Sequence, residues 1–256
     1  MNDALREFVH NPDRYTRIPA DVHRFVDERV CLLEGNTWAA VSGVRVGADR
    51  VARLVAEVRE RVAPGKSVMW WLDPDTQPGD LHDRLLTLGL TEPRDRGSLL
   101  YGLACVTEPS AGPADVEVRP VETLGDHVVA TEVAWDAFGT PEERRTAQRP
   151  HLADEFEAAR DAGVPSTFVA YVDGRAAGVG RSVYSDRGVF LIGGGVAEWA
   201  RGRGAYKALV RARWDDAVAR GTPALVTEAM PDTSYPILKR AGFVEVCAIR
   251  RLEDVR

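Results

Sequence analysis

The sequence predicts an α+β protein of two related domains, residues 1–108 and 109–256, each a mixed and mostly antiparallel sheet flanked by helices. Three observations carry this prediction. In the second half, alternating apolar segments joined by short turns precede a strand–helix–strand crossover, the order of a sheet covered by helices. The stretch TEPSAGPA, Thr107 to Ala114, places two prolines and a glycine between two periodic regions and reads as a linker. Finally, the halves match at one constant offset: Gly47-Ala48 falls on Gly204-Ala205, and Pro74-Asp75-Thr76 falls on Pro231-Asp232-Thr233. A repeat of that length occurring twice indicates two copies of one domain rather than a solenoid.

The elements of the second half follow in order. A strand is expected over Val116 to Val121 and a helix over Asp126 to Ala137. A second helix is expected from Pro141 to Ala162, opened by Thr140 as N-cap with Glu143 three residues on. Strands at Thr167 to Val172, Ala176 to Tyr184 and Gly188 to Val196 come next, the first two joined at Asp173-Gly174-Arg175. A helix from Gly204 to Ala219 ends at Gly221. A strand at Ala224 to Met230, a short helix at Thr233 to Ala241 and a strand at Phe243 to Arg250 complete the half. In the first half the helix matching Ala205 to Ala219 is Ala48 to Val62, and Trp70-Trp71 lies on a strand. Core packing is the favoured role for that pair, with a place in an acceptor cleft or an inter-domain contact as the alternatives.

Composition limits the function classes. The chain has 256 residues, 45% of them hydrophobic and 28% charged, enough for a substantial core. Cys31, Cys105 and Cys247 lie far apart with no CxxC pair, which argues against a disulfide framework and a thiolate metal site. The first thirty residues lack an apolar targeting segment, and no uncharged apolar run spans a bilayer, so a soluble, cytoplasmic protein without a membrane partner is expected. A net charge of −6 disfavours nucleic acid as a partner and suits a cationic acceptor.

The stretch GGGVAEWARGRGAYKALV, Gly193 to Val210, is the feature that composition does not explain. Glycine weakens strands and helices alike, so five glycines between Gly193 and Gly204 need a reason. A loop that curls the unpaired N–H groups of a helix start around a phosphate supplies one, with Arg201, Arg203 and Lys207 adding positive charge at its rim. The spacing matches neither a P-loop nor a dinucleotide-binding fingerprint.

Val196, then Arg201-x-x-Gly204 before a long helix, and Gly242-Phe243 closing the last helix, resemble the GNAT superfamily of acyl-CoA-dependent N-acetyltransferases over roughly Val116 to Leu252. One position departs: Tyr206 stands where the signature ends on a small residue. The resemblance implies an acetyl-CoA site with no metal. Gly194, Gly195 and Val196 would pair with the pantetheine arm, and Arg201, Gly202, Arg203, Gly204, Ala205 and Tyr206 would surround the pyrophosphate. The Val196 N–H would face the developing oxyanion. It also implies transfer to a primary amine, on a small molecule or a protein, by direct attack in a ternary complex.

The family's usual acid and base positions hold Phe190, Ile237 and Leu238, none of which titrates. Glu228 is the replacement base candidate and Tyr235 the replacement acid. Trp135 and Asp136 fall where the family's first helix borders the acceptor. Asp232 and Ser234 read as helix caps, Glu198 as solvated, and His151 with Glu155 as a solvated helix face rather than a metal pair. The first half, Trp38 to Leu103, resembles a degenerate copy in which Val44-Arg45-Val46-Gly47 replaces the Arg-Gly loop. Loss of both usual acid–base groups leaves a second function open: a catalytically silent acyl-CoA sensor or partner-docking module.

Overall fold

The computed structural model describes residues 1–93, 97–162 and 166–255. The chain forms two compact units: the first holds residues 1–104, 228–239 and 244–256, and the second holds 105–227 and 240–243. The border between Ala104 and Cys105 falls just before the expected linker. The expected division differs at the other end, because the last strand of the chain belongs to the first unit.

In chain order the elements of the first half are α1 (Asp3–His10), α2 (Pro12–Tyr15), β1 (His23–Val26), β2 (Cys31–Glu34), β3 (Trp38–Ser42), α3 (Val51–Arg61), β4 (Ser67–Leu72), α4 (Leu81–Thr87) and β5 (Leu99–Cys105). Those that follow are β6 (Val116–Pro120), α5 (Leu124–Phe138), α6 (Glu142–Gln148), α7 (Leu152–Ala162), β7 (Ser166–Val172), β8 (Arg175–Ser185), β9 (Gly188–Val196), α8 (Ala205–Ala219), β10 (Leu225–Ala229), α9 (Ser234–Arg240) and β11 (Val244–Asp254).

The first unit orders its strands β1-β2-β3-β4-β11-β5, with β3 and β4 parallel and the other described pairs antiparallel. β11 is longer than expected, because it pairs with β4 from Asp254↔Val68 to Arg250↔Leu72 and with β5 from Val244 to Arg250. Trp70 on β4 is fully buried in the core beneath α3 and α4, whereas Trp71, on the other face of the strand, lies half-buried under the Arg251 guanidinium. Residues 48–50, expected to open the helix, form a 3-10 turn ahead of α3.

The second unit orders its strands β10-β9-β8-β7-β6, with β9 and β10 parallel and the rest antiparallel. β7 reads STFVAYV, a nearly continuous apolar run, because both its faces are covered. Phe168, Ala170 and Val172 pack with Ala205, Ala208 and Leu209 of α8, and Val169 packs with Ala130 and Val133 of α5. Each Phe, Val or Leu side chain among them contributes about 1.5–3 kcal/mol when removed from water. The β7–β8 hairpin turns at Asp173 and Gly174, both at positive φ, as a two-residue connection requires.

Two helix expectations are corrected. The helix expected over 141–162 is broken: α6 ends at Gln148, a 3-10 turn covers Arg149–His151, and α7 begins at Leu152. Pro150 causes the break, since it has no N–H to donate and its ring clashes with the preceding turn. Thr140 does not cap this helix; its amide closes α5 by donating to the Trp135 carbonyl (2.8 Å), and Pro141 precedes α6 without a side-chain cap. α5 instead begins two residues early, at a capping box of Thr123 and Asp126, worth about 1 kcal/mol. Among the described residues no helix is long and apolar enough to cross a membrane.

Candidate functional site

The glycines of β9 form a bulge. Val179 faces Gly195 and Arg181 faces Ile192, so Gly193 and Gly194 together oppose Gly180, and Gly193 adopts φ +55°. Beyond the bulge the strand is crowded on its α5 side, where a Cβ added at Gly195 would lie 2.9 Å from the Ala137 Cβ and 3.0 Å from the Phe138 ring. On the edge toward β10, ladder pairing stops early. Leu225↔Val189 and Val226↔Phe190 are partners, the Thr227 hydroxyl donates to the Leu191 carbonyl (3.0 Å), and from Ile192 onward β9 has no described ladder partner on this side. The Ala197 amide donates to the Ala177 carbonyl across β8, so the alternation of an antiparallel ladder turns the Val196 N–H to the open edge.

The loop after β9 runs through a 3-10 turn at Glu198–Ala200 into α8, whose N-cap is Gly204 at φ +82° with no side-chain cap. A side chain at Gly204 would be strained by that φ and would run into the Pro113 ring. The amides of Gly202, Gly204, Ala205, Tyr206 and Lys207 donate to no described backbone carbonyl. Five unpaired donors at the positive end of a 15-residue helix are suited to receive an anion, and Gly202, with nothing within 4 Å of a Cβ placed on it, leaves the approach clear. Arg201 and Arg203 are exposed there. Arg203 is held by Asp173 (2.6 Å) from the hairpin tip, which keeps the Asp173 carboxyl below its usual range. Tyr206 lies against the strand: its ring is 3.1 Å from a Cβ placed at Gly194, and its hydroxyl acts electrostatically on the buried Arg213. The departure at Tyr206 therefore leaves the loop open.

No protein-family model matches this chain, and no curated protein does. Solved structures do. A GCN5-related N-acetyltransferase from Kribbella flavida aligns over 100% of this chain and 97% of its own at a TM-score of 0.68 and 17% identity. One from Sphaerobacter thermophilus aligns over 90% and 82% at 0.57 and 16% identity. A tandem GNAT protein from the clavulanic acid biosynthesis pathway aligns over 98% and 87% at 0.60 and 13% identity. The chain has the GNAT fold.

Both units carry the parallel crossover of the GNAT fold, β3–α3–β4 in the first and β9–α8–β10 in the second, but the first has closed its open edge. The Val46 amide donates to the Gln77 carbonyl (3.2 Å) and the Gln77 amide to the Val44 carbonyl (2.9 Å), which uses the main-chain groups that follow β3. Asn11 lies against Gly43 and accepts from the Ser42 hydroxyl (2.9 Å), and His10 pairs with Asp75 (2.7 Å). His10, Asp73 and Asp75 bring three possible metal-ligand atoms within 4.8 Å of one another, but Arg45 already supplies the cation, 3.1 Å from Asp73.

The sequence-predicted acid and base lie in the first unit, and the glycine strand and loop lie in the second. Glu228 is half-buried near the end of β10, and burial, reinforced by Asp13 and opposed by Arg251, pushes its carboxyl up to about 8. Tyr235 on α9 stacks on Tyr101 with ring centroids 4.6 Å apart and donates to Glu245 (2.6 Å), which raises its pKa. Its proton is thus already engaged. Ser234 accepts from the Met230 amide (3.0 Å), while Asp232, Glu198, His151 and Glu155 are exposed. Leu238 is core, Ile237 exposed and Phe190 half-buried.

Trp135 and Asp136, expected to border the acceptor, are both engaged on α5 and α6. Trp135 is buried, donates its indole N–H to Gln148 (2.9 Å) and packs under Arg149, and Asp136 pairs with Arg145 (2.7 Å). Both fasten α6 and the turn after it onto α5. The residues of α5 that reach β9 are Ala137 and Phe138, the next two in the chain. A helix turns about 100° per residue, so an uncertainty of one position is enough to exchange the two faces.

Proposed function

We propose that the second unit binds acetyl-CoA and transfers its acetyl group to a primary amine by direct attack. The observation that carries this reading is the conjunction of five unpaired amides at the start of α8 with the open edge of β9 beside them. Gly202, Gly204, Ala205, Tyr206 and Lys207 would hold the pyrophosphate through main-chain N–H groups, with Arg201 adding charge. Gly194, Gly195 and Val196 would hold the pantetheine arm as an added strand.

An alkylamine of pKa near 10 is largely protonated at pH 7, and freeing its lone pair costs about 4 kcal/mol. A base must take that proton. We assign this to Glu228, since a carboxyl pushed up to about 8 is matched to proton transfer near neutrality. The nitrogen then attacks the carbonyl carbon, the Val196 N–H receives the developing oxyanion, the C–S bond breaks, and the departing thiolate takes up the second proton that the nitrogen sheds as the amide forms. Water is the relay favoured for this second proton, because Tyr235 is engaged with Glu245.

That same engagement supports the second reading, a silent acyl-CoA sensor. The two separate on one assay: release of free CoA thiol from acetyl-CoA, followed with a panel of primary amines. Turnover well above spontaneous hydrolysis with at least one amine is expected. Tight acetyl-CoA binding with no amine accelerating thiol release would favour the sensor.

A further inference from the structure

The face of the second unit that packs α5 and α7 against β8 and β9 holds a set of polar groups that neither the fold nor acetyl-CoA uses. Arg181 on β8 sits directly under the bulge, its Cδ 3.6 Å from a Cβ placed at Gly193. Its guanidinium makes no hydrogen bond or ion pair with a described residue, and the carboxylate that acts on it is Glu155 of α7, at longer range. Burial lowers the pKa of Arg181, and burial together with the charge of Arg181 lowers that of His127 on α5. His127 Nε2 is buried without a hydrogen-bond partner, and its ring lies 5.7 Å from Phe156 of α7. Thr131, one helical turn on and only 7% exposed, has a hydroxyl that is also buried without a partner. The same helix then reaches β9 at Ala137 and Phe138.

The Arg181 side chain is half-buried, so its charge has lost part of its hydration without gaining a close counter-charge, and the buried His127 and Thr131 atoms beside β8 are left unpaired, which is costly. Such groups are expected where a ligand completes them. We infer that Arg181, flanked by His127 and Thr131, recognises a carboxylate on the acceptor, so that the amine substrate is a small amino acid. This rests on the acetyl-transfer reading above. Sign and distance both favour it. A bare alkylammonium would be repelled by Arg181, whereas a carboxylate on the same molecule turns the repulsion into attraction. Gly193 and Val196 are three residues apart, about 10 Å along a strand, so amine and carboxylate would be separated by a short chain.

The test pairs each amino acid with its decarboxylated amine: glycine with methylamine, β-alanine with ethylamine, 4-aminobutyrate with propylamine. CoA-thiol release should favour the carboxylate member by at least about tenfold in kcat/KM. Arg181→Met should collapse that preference, mainly through a KM increase of roughly 10- to 100-fold for the amino acid, the range of a lost charge-assisted pair. Arg181→Lys should restore part of it. Equal use of both members by the intact protein, or a preference unchanged in Arg181→Met, overturns the inference while leaving acetyl transfer intact. Calorimetric binding of N-acetylglycine against N-methylacetamide, without acetyl-CoA, remains decisive even if no amine is acetylated. Binding of the carboxylate alone, lost in Arg181→Met, supports the inference, and binding of neither probe contradicts it. Should Arg181→Met fail to fold, the intact protein and Arg181→Lys decide by the same criteria.

Discussion

Glu228→Gln is expected to lower kcat by a factor of roughly 10² or more, in the range for removal of a general base, while leaving acetyl-CoA affinity in place. In the intact protein kcat should rise with pH about tenfold per unit up to an apparent pKa near 8, and the variant should lose that limb. Stability should move the other way. The folded-state pKa of Glu228 is raised above 4.5, so the folded protein holds a proton that the unfolded chain releases. Its contribution is complete below about pH 4.5 and is lost as pH rises through about 8. Glutamine mimics the protonated carboxyl at every pH, so the variant should melt close to the parent at pH 4.5 and several degrees above it at pH 9. Unchanged kcat would remove Glu228 from the chemistry, and equal melting temperatures at pH 9 would contradict its environment.

Trp70→Ala should cost about 3–5 kcal/mol, the range for deleting a fully buried aromatic side chain. Trp70→Phe should cost much less, because the indole N–H of Trp70 has no hydrogen-bond partner to lose and the phenyl ring fills most of the space. Urea unfolding midpoints of the two variants check this. A loss below about 1 kcal/mol for the alanine variant would restore the alternative of a cleft-lining tryptophan.

The parts of the fold that were legible in the sequence are those set by local rules. Short apolar segments bounded by turns placed β7, β8 and β9, Asp173-Gly174 placed the hairpin between the first two, and the glycine cluster marked the bulge and the start of α8. What was not legible depends on contacts distant in sequence. β11 reads as one more alternating strand wherever it pairs, and nothing local joins it to β4 and β5. Pro150 was a readable break, but the hydrophobic period around it continues through α7 and masks it. Trp135 was placed by position on its helix, and one residue of rotation separates a side chain facing α6 from one facing β9. Arg181 gives no signal at all, since an arginine in an amphipathic strand ordinarily faces water. Only its half-buried place against Gly193 and the absence of a close partner among the described residues distinguish it.

The first unit is degenerate for a related local reason. Val44-Arg45-Val46-Gly47 lacks the glycines that keep amides free, and those amides are spent on Gln77 and on the Arg29 carbonyl. One acetyl-CoA per chain is therefore expected, held by the second unit. The most direct measurement is calorimetric titration of acetyl-CoA into the intact protein and into the double variant Arg201→Glu, Gly202→Glu, which places two negative charges where the pyrophosphate would sit. The expected result is one site per chain in the intact protein and an affinity at least about 100-fold weaker in a variant that melts like the parent, as repulsion replaces two favourable contacts. Absence of binding to the intact protein, or equal binding by both, would contradict the assignment of this loop as the acetyl-CoA site.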